Sequence, residues 1–353
     1  MKRLAIVLFN LGGPDQLSSV EPFLFNLFKD KAIINLPSFL RLPLAKFISW
    51  RRGPVAREIY ANIGGRSPLL EETEAQAKHL KEKLKNLADE VQVFISMRYW
   101  HPFSKQTAKL VKDFEADKII LLPLYPHYSS TTTGSSFKDW KSAATAIGLN
   151  KPTSSICCYP LDKDYIMGQV KLIKSSIEYA KELSVNDLRI RILFSAHGLP
   201  KKIIKAGDPY QWQIEQTALT VADNLQISLN RQNLDWVVCY QSRVGPLEWI
   251  GPSLEDELNR AAHDNLGVIV VPIAFVSEHS ETLVELDIEY RNMADDLKLP
   301  IYVRVPALSI EEYFINSLAK TIETKILKDN IISCSNGARL CPSKFNNCPV
   351  DSL

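Results

Sequence analysis

Eight short apolar runs rich in Val, Ile, Leu and Phe recur along the chain, at roughly 4–9, 91–96, 118–122, 154–159, 190–195, 236–240, 267–271 and 301–305. Each is too short for a helix and reads as a strand. Between most of them lie amphipathic stretches such as 69–88, where Leu69, Leu70, Leu80 and Leu84 stand among Glu, Gln and Lys, and 253–263. Strands alternating with helices restrict the chain to parallel βαβ units whose sheets are covered on both faces. Four strands precede about residue 160 and four follow. The expected fold class is therefore α/β, with two similar doubly wound, Rossmann-like domains, each built on a four-stranded parallel sheet.

The two halves also resemble each other. Leu-Phe-Asn-Leu-Gly-Gly-Pro (8–14) ends the first strand and Leu-Phe-Ser-Ala-His-Gly-Leu-Pro (193–200) ends the fifth. Ser-Met-Arg-Tyr-Trp-His-Pro (96–102) is answered by Tyr-Gln-Ser-Arg-Val-Gly-Pro (240–246), and Leu-Leu-Pro-Leu-Tyr (121–125) by Val-Val-Pro-Ile-Ala (270–274). Three matches in the same order argue for duplication; the alternative is that strand ends commonly carry Gly and Pro. Ligands bind beyond the carboxyl ends of parallel strands, so two such ends facing each other would make one active cleft between the halves.

At 353 residues the chain is long enough for two domains. Lys plus Arg total 42 against 40 for Asp plus Glu, a net charge of +2, which leaves no footprint for nucleic acid. There is no G-x-x-x-x-G-K-[ST], no complete dinucleotide fingerprint and no G-x-S-x-G elbow, so nucleotide binding and serine hydrolysis are not expected. The run 4–9 is too short for a membrane span and leads into Asn-Leu-Gly-Gly-Pro rather than a cleavage site. The six cysteines are not spaced as a secreted disulfide framework, so a cytoplasmic location is expected, or one peripheral to the inner membrane.

Two constellations can carry chemistry. His197, just past a strand in Ser-Ala-His-Gly-Leu-Pro, can accept a proton or ligate a metal, or simply shape a turn through its hydrogen bonds. The second is Phe275-Val276-Ser277-Glu278-His279-Ser280-Glu281-Thr282, directly after the seventh strand. Ser277 is expected to cap a helix whose first turn carries Glu278 and Glu281. On a regular helix Glu281, Glu285 and Glu289 share a face, which is either a solvated stripe or a path for a cation. Leu283, Val284, Leu286 and Ile288 interleave and argue that the helix is packed. His279 and Glu281 would diverge on an ideal helix, so both can face one ligand only if the first turn is irregular. A histidine and a carboxylate with open positions suit transient handling of Fe²⁺.

These segments, with Gly-Gly-Arg-Ser-Pro-Leu (64–69), Leu-Tyr-Pro-His-Tyr-Ser-Ser-Thr-Thr-Thr-Gly-Ser (124–135) and Ser-Glu-His-Ser-Glu-Thr-Leu-Val-Glu-Leu-Asp-Ile-Glu-Tyr (277–290), together resemble the ferrochelatase family from about residue 3 to 325. The resemblance implies a two-lobed class II chelatase fold. It implies insertion of Fe²⁺, a substrate, into protoporphyrin IX or coproporphyrin III to make haem. His197 and Glu281 would be the catalytic, metal-facing pair, with His279, Glu278 and Glu285 supporting the metal side. Leu11, Arg52, Tyr60, Ser67, Arg98, Tyr99, Trp249 and Phe275 would line the porphyrin pocket. Charge-assisted bonds from Arg52, Arg98 or nearby polar groups are then expected to hold the propionates. Another class II chelatase, such as a cobaltochelatase, is the nearest alternative; a non-catalytic two-lobed tetrapyrrole-binding protein is the alternative from another class.

The expected organisation is an N-terminal half over 1–155 with the helix 308–328 packed back on it, a metal-bearing half over 156–307, and a cysteine-containing tail over 329–353. Residues 33–54 mix Leu, Phe and Trp with Arg and Lys, as expected either of an apolar lip on a bilayer or of a buried helix with basic ends. Cys157, Cys158 and Cys239 fall in or at the ends of strands and read as small buried hydrophobes. Cys334, Cys341 and Cys348 resemble the tail that carries a [2Fe–2S] cluster in some ferrochelatases. They depart from it in having six residues in each gap, and the position of the fourth ligand falls on Ser130.

Overall fold

The computed structural model describes residues 1–183, 189–230, 233–243, 247–328 and 331–350. Val244, Gly245 and Pro246, which close one of the repeated segments, therefore lie outside the described residues. In the first half, strand β1 (Arg3–Asn10) is followed by helices α1 (Val20–Phe28), α2 (Ser38–Ala61) and α3 (Leu69–Leu84). Then come β2 (Glu90–Met97), α4 (Ser104–Asp113), β3 (Lys118–Pro123), α5 (Thr133–Ala146) and β4 (Thr153–Ile156). Helix α6 (Lys163–Leu183) crosses to the second half, which runs β5 (Ile190–His197), α7 (Lys201–Lys205), α8 (Tyr210–Leu229), β6 (Trp236–Gln241), α9 (Leu254–His263) and β7 (Gly267–Pro272). A π-helix (Glu281–Glu289) runs into α10 (Tyr290–Asp296), and β8 (Tyr302–Arg304), α11 (Glu312–Lys328) and the short β9 (Ile332–Ser333) complete the chain.

Among the described residues all pairings of these strands are parallel, in two sheets of order β2-β1-β3-β4-β9 and β6-β5-β7-β8. Successive side chains of a strand point to opposite faces, and β1 shows why this requires apolar residues throughout. Leu4, Ile6 and Leu8 enter the large central core, while Ala5, Val7 and Phe9 enter a second one with Val111, Ile119 and Trp140. Residues Ile192 and Phe194 of β5 and Ile269 and Val271 of β7 join that same central core, with apolar faces of α3, α6, α8 and α11 between the sheets. Each such buried Leu, Ile, Val or Phe contributes roughly 1.5–3 kcal/mol. One shared core, rather than a linker, is what sets the two sheets relative to each other.

The first sheet has a fifth strand that the apolar runs do not reveal. The Ser155 N–H donates to Ile331 O at 2.7 Å and the Cys157 N–H to Ser333 O at 2.8 Å, so the tail after α11 pairs with the end of β4. The fourth run, expected as a strand to 159, leaves its sheet after Ile156; beyond it the Tyr159 N–H turns to Pro126 O. Helix α11 lies against α3 and α6. On α2 the apolar side chains are exposed: Phe39 at 75%, Phe47 at 53%, Trp50 at 63% and Val55 at 60%. Its buried side is carried by Ala45, Ser49, Gly53 and Tyr60. No helix among the described residues is long and apolar enough to cross a membrane.

Candidate active site

His197 is the last residue of β5, paired in register with Gln241 at the end of β6. The chain must turn away at once in a crowded place, which explains Gly198. A Cβ there would lie 3.1 Å from Gln241 O, 3.2 Å from Arg243 Cγ and 3.4 Å from the Trp249 ring. The Tyr210 hydroxyl, at the start of α8, donates to His197 O at 3.1 Å and fixes the backbone from below.

Glu281 reaches the same place from the far side of β7. It opens a π-helix, not the regular α-helix expected from the sequence, and the residue at the N-cap position is Ser280 rather than Ser277. Side chains before the first turn account for the change. Ser277 is buried, where Gln76 Nε2 lies 3.1 Å from its hydroxyl. Glu278 accepts from Arg304 Nη1 at 2.6 Å and from the Ala307 N–H at 2.9 Å, so it lies ahead of the helix instead of in its first turn. The Thr282 hydroxyl bonds both the N–H and the carbonyl of His279 at 3.0 Å. His279 Nδ1 lies 3.0 Å from Ser277 O, which leaves Nε2 directed to Glu281.

Glu281 Oε2 consequently lies 3.1 Å from His197 Nδ1 and 3.8 Å from His279 Nε2. The irregular first turn is what lets His279 and Glu281, two residues apart, meet. One turn on, Glu285 accepts from Gln241 Nε2 at 3.1 Å, from the Ser242 N–H at 2.8 Å and from the Ser242 hydroxyl at 2.5 Å. Gln241 also donates to Glu281 O at 3.1 Å and receives the Ser195 hydroxyl at 2.7 Å.

The electrostatics follow. Burial disfavours a charged His197, but the adjacent Glu281 carboxylate outweighs it and raises the imidazole above its ordinary value. Burial likewise disfavours a charged Glu281, yet His197 and His279 hold it far below the usual carboxylate range. Glu285 moves the other way, raised by burial and by the Glu281 charge against the bonds from Ser242 and Gln241. Glu278, despite its burial, is lowered by Arg304.

The expected porphyrin-lining residues divide. Tyr60, on α2 of the first half, reaches Ser280 and Glu281 of the second, and burial pushes its phenol up to about 12. The Phe275 ring centroid lies 4.8 Å from that of His279. Trp249 packs on Gly198, its indole N–H buried and without a partner among the described residues. Leu11 is half-buried and Ser67 buried, the latter directly against Gly13. Arg52 is exposed, its guanidinium 5.9 Å from the Phe28 ring centroid. Arg98 and Tyr99 are differently engaged. Arg98 Nη2 pairs with Asp30 at 2.8 Å and Nε donates to Ser135 at 2.7 Å, while the Tyr99 hydroxyl donates to the same Asp30 at 2.9 Å. Arg98 therefore spends its charge on a partly buried internal pair.

A ferrochelatase family model matches residues 3–326. The chain belongs to the ferrochelatase family. A ferrochelatase of Rickettsia bellii is 51% identical over 351 residues, which cover 98% of this chain and 95% of that protein. A ferrochelatase of Pelagibacter ubique is 48% identical over 351 residues, covering 98% of each. Among solved structures, SirB from Bacillus subtilis with Fe³⁺ aligns over 92% of this chain and 95% of that one, with a TM-score of 0.53 and 11% identity, a likeness of fold.

The cysteines correct the sequence reading in one respect. Ser130 turns to Asp208, donating from its N–H and its hydroxyl at 2.7 Å each. Instead Cys157 and Cys158, expected only as buried hydrophobes, are buried against the tail. Cys158 Sγ lies 3.3 Å and Cys157 Sγ 3.6 Å from Cys334 Sγ, and the three sulfurs fall within 4.8 Å of one another. Cys341 and Cys348 join the same buried cluster with Phe345. Hydrogen bonding from Cys157 and Cys158 lowers the Cys334 thiol. Cys239 stays a buried core residue. The vicinal Cys-Cys pair was the available signal, but its meeting with the tail depends on β9, two residues too short to read from an apolar pattern. Nothing in the sequence singles out Gln76, Asp208 or Tyr210.

Proposed function

We infer that the chain is a ferrochelatase that inserts Fe²⁺ into a porphyrin through the cleft holding His197 and Glu281. The observation that carries the residue assignment is the Glu281 carboxylate set between His197 and His279, at the carboxyl ends of the strands. A planar porphyrin hides its nitrogen lone pairs and carries two N–H protons. Entry of the metal needs the ring bent and both protons removed. Trp249, Phe275 and Tyr60 supply aromatic surface to grip the ring, with strain of roughly 1–5 kcal/mol drawn from binding energy. With Nδ1 directed to Glu281, His197 keeps its lone pair on Nε2 and accepts the two pyrrole protons in turn, passing the first to solvent, to which its side chain is 38% exposed, before taking the second. Glu281, negative because two imidazoles face it, receives the metal with Glu285 one turn on and holds the resulting imidazolium, whereas Glu278 is committed to Arg304 and the Ala307 N–H. Arg52, the exposed cation, is the propionate partner in preference to Arg98.

Two further elements belong to this reading. The exposed apolar face of α2, interleaved with Arg and Lys, supports peripheral contact with a bilayer through 33–54. Cys158, Cys334, Cys341 and Cys348 form a buried set of thiols suited to a [2Fe–2S] cluster, with Cys157 3.5 Å from Cys158. When bound, such a cluster supplies a one-electron centre. Metal insertion measured with protoporphyrin and coproporphyrin, and with Fe²⁺, Zn²⁺ and Co²⁺, tests the proposal. Iron insertion into one of these rings, lost on His197→Ala, is the expected result. Cobalt-only activity, or binding of porphyrin with no insertion, would overturn it.

A further inference from the structure

Gln213 on α8 is wholly buried, and its side chain has one possible orientation. Its Oε1 accepts the Tyr128 N–H at 2.7 Å, so the amide must turn its NH₂ the other way. There two sulfur atoms are within reach: Cys341 Sγ at 3.1 Å and Cys158 Sγ at 3.4 Å. A primary amide carries two N–H donors, one for each. One turn earlier on the same helix, Tyr210 donates to the His197 carbonyl, so the first turn of α8 touches both the cysteines and the candidate active site. Trp212 is in the same turn, its ring centroid 5.7 Å from that of Phe345 in the tail.

We propose that Gln213 donates hydrogen bonds to the sulfurs of the cysteine centre and sets its reduction potential. The inference rests on the [2Fe–2S] reading above. One electron from an external one-electron reductant converts the diferric centre to its mixed-valent form; the reductant is oxidised by one electron, and no bond forms or breaks. The reduced form carries the extra negative charge on its sulfurs. N–H donors aimed at them favour that form and raise the potential.

The test is a mediated redox titration of the full chain purified anaerobically, followed in the visible region, with iron and sulfide quantified. Gln213→Leu removes the donors, and Gln213→Glu removes them while keeping the acceptor for the Tyr128 N–H. Each should lower the reduced-to-oxidised ratio at a fixed poise about tenfold, which is about 59 mV for a one-electron couple. Unchanged potentials at wild-type iron and sulfide content would overturn the role of Gln213 while leaving the cluster in place. A wild-type protein without iron and sulfide would remove the cluster and this role together. Should neither variant retain a cluster, pulsed electron paramagnetic resonance of the reduced wild type, labelled with ¹⁵N in glutamine side chains, reads the contact directly. A nitrogen coupling is expected, and its absence would overturn the proposal.

Discussion

In the proposed mechanism a carboxylate between two imidazoles sets the protonation of His197 and Glu281. The negative charge of Glu281 raises His197, so its imidazolium persists to higher pH than in a free histidine, whose value is about 6.5. A base must be neutral to act, and the acid limb of kcat/KM should therefore lie above that value. Replacing Glu281 by Gln removes the charge and leaves burial, which acts the other way. The His197 titration followed by NMR should then move to lower pH, and an unmoved titration would break the assigned coupling. The pair is fully ionic only between the depressed Glu281 value and the raised His197 value. Its stabilisation fades as pH rises through the latter or falls through the former. His197→Ala should reduce metal insertion by about 10²–10⁴-fold, the usual range for a general base, with porphyrin affinity read by fluorescence quenching nearly unchanged.

Two helices depart from regular behaviour, and each departure is functional in this reading. The π-helix at 281–289 is held open by Thr282, Gln241 and Ser242, and without it Glu281 would not converge with His279. In α2 the hydrophobic residues face water, with Phe47 and Trp50 rings 6.2 Å apart on the surface. Burying an aromatic or Leu side chain is worth roughly 1.5–3 kcal/mol. Replacing both Phe47 and Trp50 by Ser should therefore weaken flotation with anionic liposomes by at least about tenfold. Turnover of detergent-dispersed porphyrin should hold, since neither residue belongs to the proposed pocket. Equal flotation of the double variant would remove the membrane role.

At the scale of the molecule, the cleft depends on ties between the halves. Gln76 on α3 is fully buried, and its Nε2 lies 2.9 Å from Val276 O, 3.1 Å from Ser309 O and 3.1 Å from the Ser277 hydroxyl. It anchors the segment that leads into Glu281 from 200 residues away. Tyr165 on α6 donates to Ile273 O at 2.7 Å, and Asp208, also fully buried, receives Ser129, Ser130 and the Tyr210 N–H. Gln76→Leu takes the amide partner from Ser309 O and the Ser277 hydroxyl, while Val276 O keeps the Ser309 N–H; each unsatisfied buried group costs about 1–3 kcal/mol. Urea unfolding should shift accordingly, and metal insertion should fall with it because Glu281 loses its approach. A variant as stable as the wild type would show that the tie is replaceable.

Sequence alone determined the alternation of strands and helices, the two parallel sheets and the family, because apolar periodicity and contiguous motifs are local properties of the chain. It also singled out His197, at the end of β5, and His279 and Glu281, in the segment after β7, the side of a parallel sheet where ligands bind. Tertiary structure alone decided the geometry among them: that Glu281 lies between two histidines, that Arg98 is spent on Asp30, and that Cys157 and Cys158 meet the tail while Ser130 serves Asp208. Apart from Glu281 with His279, which meet on an irregular turn, each of these is a contact between residues far apart in the chain. Such contacts depend on how two sheets and their helices close around one core, which no local pattern encodes.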